Sequence, residues 1–384
     1  MTIAYTCCQG VEMGSDAELN ALLELKVLPG IGDRLLSDLI ARYGSPAEAL
    51  KAPATELGEE AARLRGTAEV RRKVDRALRT IETEGIRVLR AGEPRYPEVL
   101  TELHDPPPLL FVLGRLELLD RPGLAIVGAR RPSTYGRDIA ELMARGATEG
   151  GLVVTSGMAR GIDGIAHQTS LEGGTIGVLG AGIDVVYPHQ HGPLYERMRE
   201  EGLLLTEFLP GEPPRPFHFP KRNRLIAALA RGVLVIEAAA RSGALITVDH
   251  ALDLGREVMA IPGPIGRELS EGTNALIRDG AAIVLHPSDI FANLGIERLE
   301  GDQGDRVDEV SVTSPVPVEL RGSKLEIWRV LETEPRHAEE IADRAGLDPA
   351  TTLAGLLELE VEGLIHQLPG LRFTRRLGEE ALRR

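Results

Sequence analysis

The spacing of apolar positions changes character along the chain. From 17 to 85 it is helical, in AELNALLELKVLPGIGDRLLSDLIARYG and again in AARLRGTAEVRRKVDRALRTIETEG, which predicts a small all-helical unit. From 86 to 296 short apolar runs alternate with amphipathic stretches. The runs are LAIVGAR (124–130), GLVVTSG (151–157), TIGVLGAG (175–182), GLLLTEF (202–208), GVLVIEA (232–238), REVMAIPG (256–263) and AAIVLHP (281–287). Helical patterns such as IAELMARGATEG and NRLIAALARG separate several of them. Strand and helix alternating at this interval predict an α/β fold: a Rossmann-like, doubly wound, mostly parallel sheet covered on both faces. Residues 297–323 lose the pattern and collect Gly, Pro, Ser and acids, as a linker does. Residues 324–384 then predict three helices and a hairpin, the pattern of a winged helix. Asp348 and Pro349 supply the cap and first turn of its third helix.

Composition narrows the function classes. No apolar run approaches the about 18 residues a membrane span needs. The N-terminus has no basic segment followed by an apolar one, so no secretory signal is expected and the cytosol is the default compartment. The only cysteines, Cys7 and Cys8, are adjacent and cannot staple distant segments; neither a disulfide scaffold nor a structural metal site is expected. With 44 basic against 58 acidic residues the net charge is −14, which argues against a general basic coat for nucleic acid. A local basic groove remains open, because phosphate affinity depends on the field inside that groove.

Positive charge without nearby acids collects at predicted strand ends, where a parallel sheet binds ligands. The first loop, Val127 to Gly136, carries Gly128, Arg130 and Arg131, with Ser133 before a helix; two guanidinium groups and a helix start suit a phosphate. The second, Ser156 to His167, carries Ser156, Gly157, Arg160 and Gly161. Its Asp163 and His167 lie at i,i+4 and are read as a packing pair that holds the loop, since no third ligand or nucleophile accompanies them. The third, Arg215 to Arg224, holds Lys221, Arg222, Asn223 and Arg224, contains no acid, and interleaves Phe217, His218 and Phe219. Rings for bases beside cations for the backbone are what a single-stranded nucleic acid needs; the competing reading makes the rings core and the cations a solvated face. Ser242 and Gly243 in one loop, and Thr273 and Asn274 in another, offer small donors, and Arg256 precedes a further strand. In the helical unit, Leu28-Pro29-Gly30-Ile31-Gly32 forms a tight interhelical turn that either exposes N–H groups to phosphate or simply packs.

The chain has no GxxxxGK[ST], GxSxG or HExxH, and its Gly177-x-x-Gly180-x-Gly182 does not match the dinucleotide fingerprint, so no cofactor is expected. An anion-binding Rossmann domain without evident catalytic groups reads as a binding protein. The ordered series VGARRPSTYG, SGMARGIDGIAH, GVLGAGIDVVYP, HFPKRNRLIA, RSGALIT, GREVMAIPG and GTNALIRDGA resembles the DNA-processing protein A (DprA/Smf) family over about residues 86–290. The helix-hairpin-helix-like (SAM-like) unit and the winged helix fit one layout of that family. The resemblance implies a non-enzymatic protein of natural transformation. Such a protein binds and protects incoming single-stranded DNA, helps load the RecA recombinase, and forms a homodimer through the Rossmann domain. It also implies that Arg130, Phe219, Lys221, Arg222, Arg224 and Arg256 line the DNA pocket, with Lys221 at a variable position of its motif.

The alternative is a nucleotide or phosphoribosyl hydrolase on a related fold. That class carries a PGGxGTxxE loop, where this chain has Arg241-Ser-Gly-Ala-Leu-Ile-Thr247 after Glu237. The apolar stretch with Leu276, Ile277, Ile283 and Leu285 is a candidate dimer face, with core burial as the competing reading. From His337 to Gly363 seven acids face one base, and the would-be recognition helix 349–362 has no Lys or Arg. The expected role of the winged helix is therefore protein contact or packing, not duplex DNA, despite Arg372, Arg375 and Arg376 on its wing.

Overall fold

A computed structural model describes residues 16–298, 320–331 and 335–375. Cys7, Cys8, Arg376 and most of the 297–323 segment lie outside the described residues. Each apolar run becomes a strand: β3 (Gly123–Val127), β4 (Val153–Ser156), β5 (Thr175–Val178), β6 (Leu203–Thr206), β7 (Gly232–Val235), β8 (Glu257–Ala260) and β9 (Ala282–Ile283). They belong to a nine-stranded sheet of order β1-β2-β6-β5-β4-β3-β7-β8-β9, in which β6 through β9 in that order run parallel. Two strands were not anticipated: β1 (Arg87–Arg90) and β2 (Leu109–Gly114), which extend the β6 edge antiparallel. The connecting helices are α7 (Thr134–Glu149), α8 (Ile162–Ser170), α9 (Gly192–Glu201), α10 (His218–Ala228), α11 (Ala244–Asp253), α12 (Glu268–Arg278) and α13 (Pro287–Leu294). Every residue of β3 through β7 is buried, which is why these runs are apolar without alternation.

β3 is flanked by β4 on one side and β7 on the other, so the strand order reverses there. The loops above the carboxyl ends of these strands diverge and leave a crevice, the usual ligand position of such sheets.

The N-terminal unit comprises α1 (Asp16–Val27), α2 (Asp33–Tyr43), the short α3 (Pro46–Ala49), α4 (Ala54–Leu57) and α5 (Glu59–Leu64), and α6 (Ala68–Glu84). Its Leu22, Leu25 and Leu36 share one apolar cluster with Leu109, Phe111, Leu179 and Leu204 of the sheet domain. The unit is thus packed onto the sheet domain through a continuous core. The C-terminal unit folds as a winged helix of α14 (Ser323–Val330), α15 (Ala338–Ala345) and α16 (Pro349–Val361) with strands β10 (Arg336–His337), β11 (Ile365–Leu368) and β12 (Arg372–Arg375). Asp348 caps α16, accepting from the Ala350 and Thr351 amides at 3.1 and 3.0 Å. His366 on β11 meets Asp138 of α7 at 3.3 Å. No helix among the described residues is long and apolar enough to cross a membrane.

Candidate nucleic-acid interface

Two adjoining cavities of about 290 and 610 Å³ open above the carboxyl ends of the parallel strands. Arg130, Ala159, Tyr187 and Phe219 line both, so these residues form the partition of a single cleft. The rings of Tyr187 and Phe219 lie 5.4 Å apart at 35°, and the Arg130 guanidinium stands 5.9 Å from the Phe219 centroid. Phe219 reaches this place over Gly180, where a β-carbon would come within 2.8 Å of its ring. Phe217 is 62% exposed with its edge against His218, so it is not a core ring. Tyr187 lies outside the basic run; its signal in the sequence is an aromatic beside a proline in the loop after β5.

Arg131 and Arg160 join Arg130 on the smaller cavity, and all three are exposed. None forms an ion pair with a described residue. The two loops that carry them are fastened to each other. The Ile162 amide donates to the Ala129 carbonyl at 3.2 Å. Gly161, at φ +80°, leaves no room for a side chain, since a β-carbon would sit 2.3 Å from that same carbonyl.

Beneath them, the Asp163 carboxylate accepts the Gly157 and Ala159 amides at 3.1 and 3.3 Å. Burial raises the Asp163 carboxyl. Burial also pushes the His167 imidazole down to about 3, so it is neutral. Its Nε2 accepts the Met158 amide at 3.4 Å, which leaves the proton on Nδ1, 2.7 Å from the Thr175 hydroxyl. Both residues are spent in shaping the loop.

The basic run of α10 is divided by the helix that carries it. Phe219, Arg222 and Asn223 face the cleft. Arg222 is buried and donates to the Gly157 carbonyl at 2.6 Å and to that of Val178, which locks the cleft floor. Lys221 and Arg224 point the other way, and here the expectation of cleft cations needs correction. The run is free of acids in sequence but not in space. Lys221 Nζ is 2.6 Å from Asp33 and 3.1 Å from Glu207. Arg224 pairs with Glu207 at 2.6 Å and Asp105 at 3.5 Å, with its side chain only 5% exposed. Lys26 completes the cluster at 2.6 Å from Asp33. Burial would raise the Asp33 carboxyl, but Lys26 and Lys221 outweigh it and hold it well below the usual carboxylate range. Glu207, more deeply buried and beside Asp33, is pushed up to about 7.

Other expected contacts are also committed elsewhere. Ser133 caps α7 and, through both its amide and its hydroxyl, binds the Glu237 carboxylate, which occupies the helix start in place of a phosphate. Ser156 donates to the Ile126 carbonyl at 2.6 Å. Thr273 is buried against Ser270, and Asn274 clamps both backbone groups of Gly263. Arg256 precedes β8, at the amino end of the parallel strands, while the cleft opens at their carboxyl ends; its guanidinium pairs with Glu102 at 2.8 Å. Gly128, Gly157, Ser242 and Gly243 do line the cleft. In the candidate dimer segment, Ile283 and Leu285 are 50% and 65% exposed, whereas Leu276 packs on the core and Ile277 is half-buried.

Comparison with known proteins bears on this arrangement. The model of DNA recombination-mediator protein A matches residues 87–295, the stretch that builds the cleft. The chain belongs to that family. A DprA winged-helix model matches residues 313–370. Protein Smf of Escherichia coli is 38% identical over 308 residues, spanning 78% of this chain and 80% of the relative. DNA processing protein DprA of Streptococcus pneumoniae is 47% identical over 199 residues, 51% of this chain and 70% of the relative. Among solved structures, DprA of Streptococcus pneumoniae aligns with a TM-score of 0.61 at 36% identity, covering 71% of this chain and 97% of that one. DprA of Helicobacter pylori, described for its single-stranded DNA binding mode, aligns with a TM-score of 0.50 at 30% identity, covering 54% and 95%.

Proposed function

We propose that this chain binds single-stranded DNA in the cleft, with phosphates on Arg130, Arg131 and Arg160 and bases on Phe219 and Tyr187. The observation that carries the reading is the coincidence of three exposed arginines, unpaired among the described residues, with two adjacent rings in an otherwise acidic protein. Asn223, Ser242 and Gly243 on the wider cavity extend the path with polar contacts. The relative from Helicobacter pylori, described as binding single-stranded DNA, supports it. We read the site as binding rather than catalytic, because its buried acids Asp163 and Glu237 are committed to backbone and serine donors.

In the same reading the protein acts in the cytosol during natural transformation, protects incoming strands and helps load RecA. It works as a homodimer through the exposed Ile283 of the edge strand β9 and Leu285 just after it. Filter binding with single- and double-stranded oligonucleotides at two salt concentrations tests the binding claim. Preferential, salt-sensitive retention of the single strand is expected. Equal retention of both, or base release from nucleoside monophosphates, would contradict it. For the dimer, light scattering of Ile283→Glu should give one chain mass where the parent gives two.

A further inference from the structure

In a DNA-reading winged helix, the helix corresponding to α16 lies in the major groove. The inward side of α16 is spent on the core of its own domain, through residues such as Leu356 and Leu359. Its outward side carries Glu358 and Glu362 but also keeps an apolar stripe. Leu353, Leu357 and Val361, one turn apart in succession, are 37%, 47% and 88% exposed. An apolar stripe on a helix is ordinarily covered, and this one is a second stripe beyond the side already packed on the core. Leu357 and Val361 form, with Glu358 and Glu362, a shallow open groove.

Charge says what fits there. Residues 349–362 contain no Lys or Arg. Lys324 of α14 reaches Glu362 at 2.6 Å and Glu358 at 3.5 Å, and shows where a cation is held at the rim. A nucleic-acid backbone would be repelled by these carboxylates. A second copy laid face to face would set the same glutamates against each other. We propose that this face docks a basic amphipathic helix of a partner protein. The partner's aliphatic side chains lie on Leu353, Leu357 and Val361, and its lysines or arginines meet Glu358 and Glu362 in the manner of Lys324. The inference stands apart from the DNA cleft and does not depend on it.

The test uses the full chain and two designed helical peptides, one of leucine and lysine and one of leucine and glutamate with the same apolar face, in fluorescence anisotropy titrations. The lysine peptide should bind and the glutamate peptide should not. Leu357→Glu with Val361→Glu, both exposed positions, should weaken the lysine peptide at least tenfold while the melting temperature and single-stranded DNA affinity stay as in the parent. Glu358→Lys with Glu362→Lys should reverse the preference toward the glutamate peptide. Lysine-peptide binding that is absent, or that is unchanged in both double variants, would overturn the proposal. So would a parent oligomer in sedimentation that Leu357→Glu with Val361→Glu dissociates, since that would make the occupant a second copy.

Discussion

Two groups of cations lie on opposite sides of α10. Arg130, Arg131 and Arg160 stand in the cleft, exposed and without a carboxylate partner among the described residues. Lys221 and Arg224 face the N-terminal helices and are paired with Asp33, Glu207 and Asp105. The second group has the denser charge along the chain, yet the first has the field a phosphate would meet. Counter-charge is set by whichever element packs against each helix face. The partner of Lys221 lies 188 residues earlier. The free group is suited to binding. The paired group joins the helical unit to the helix whose Phe219 and Arg222 build the cleft wall.

The widest separation between the two groups should come from Arg224. Arg224→Ala leaves Glu207 and Asp33 buried with one cation fewer, a loss on the order of 3–5 kcal/mol of stability. Thermal melts should register it, while DNA affinity per folded molecule stays close to the parent. A variant with unchanged melting and weakened DNA binding would move Arg224 into the binding group.

On the cleft side, Phe219→Ala should weaken single-stranded DNA by about 1–3 kcal/mol with little dependence on salt. Equilibrium titration alongside melts checks it. An equal loss of stability would make Phe219 a structural ring instead.

The contrast between these groups also marks what could be read from the chain. The central parallel strands, β3 through β7, were legible because each is buried on both faces and so almost wholly apolar. β1 and β2 were not: Arg87-Val88-Leu89-Arg90 is short and edged by charge, and β2 follows three prolines and leads into no crossover helix. In the cleft, Arg130, Arg131, Arg160 and Phe219 were legible, since strand-end loops carry their cations openly. The fates of Lys221 and Arg224 were not, because Asp33 and Glu207 reach them only through tertiary packing. Arg256 lies outside the cleft for a simpler reason: it precedes a strand, and the cleft opens where strands end.

A smaller effect separates the groups by pH. The Glu207 carboxyl moves from 4.5 to about 7 on folding. Between those values the folded chain binds more protons than the unfolded one. Its contribution is therefore full below 4.5 and is lost as pH rises through about 7. Asp33, held low, acts in the opposite sense: its contribution is full above the ordinary carboxylate range and lost as pH falls below it. Glu207→Gln should flatten the fall in melting temperature between pH 4.5 and about 7, and leave DNA affinity at neutral pH unchanged. A melting profile that keeps its slope would remove Glu207 as the titrating group.

In the proposed mode of binding the free arginines, and not the paired ones, meet the DNA backbone. The salt dependence of single-stranded DNA binding reads this most directly, because each phosphate contact contributes about 0.7 to the slope of log K against log salt. Arg130→Ala and Arg160→Ala should each lower the slope by about that amount, and Lys221→Ala should leave it as in the parent. A slope that falls with Lys221→Ala and holds with both arginine variants would contradict the account.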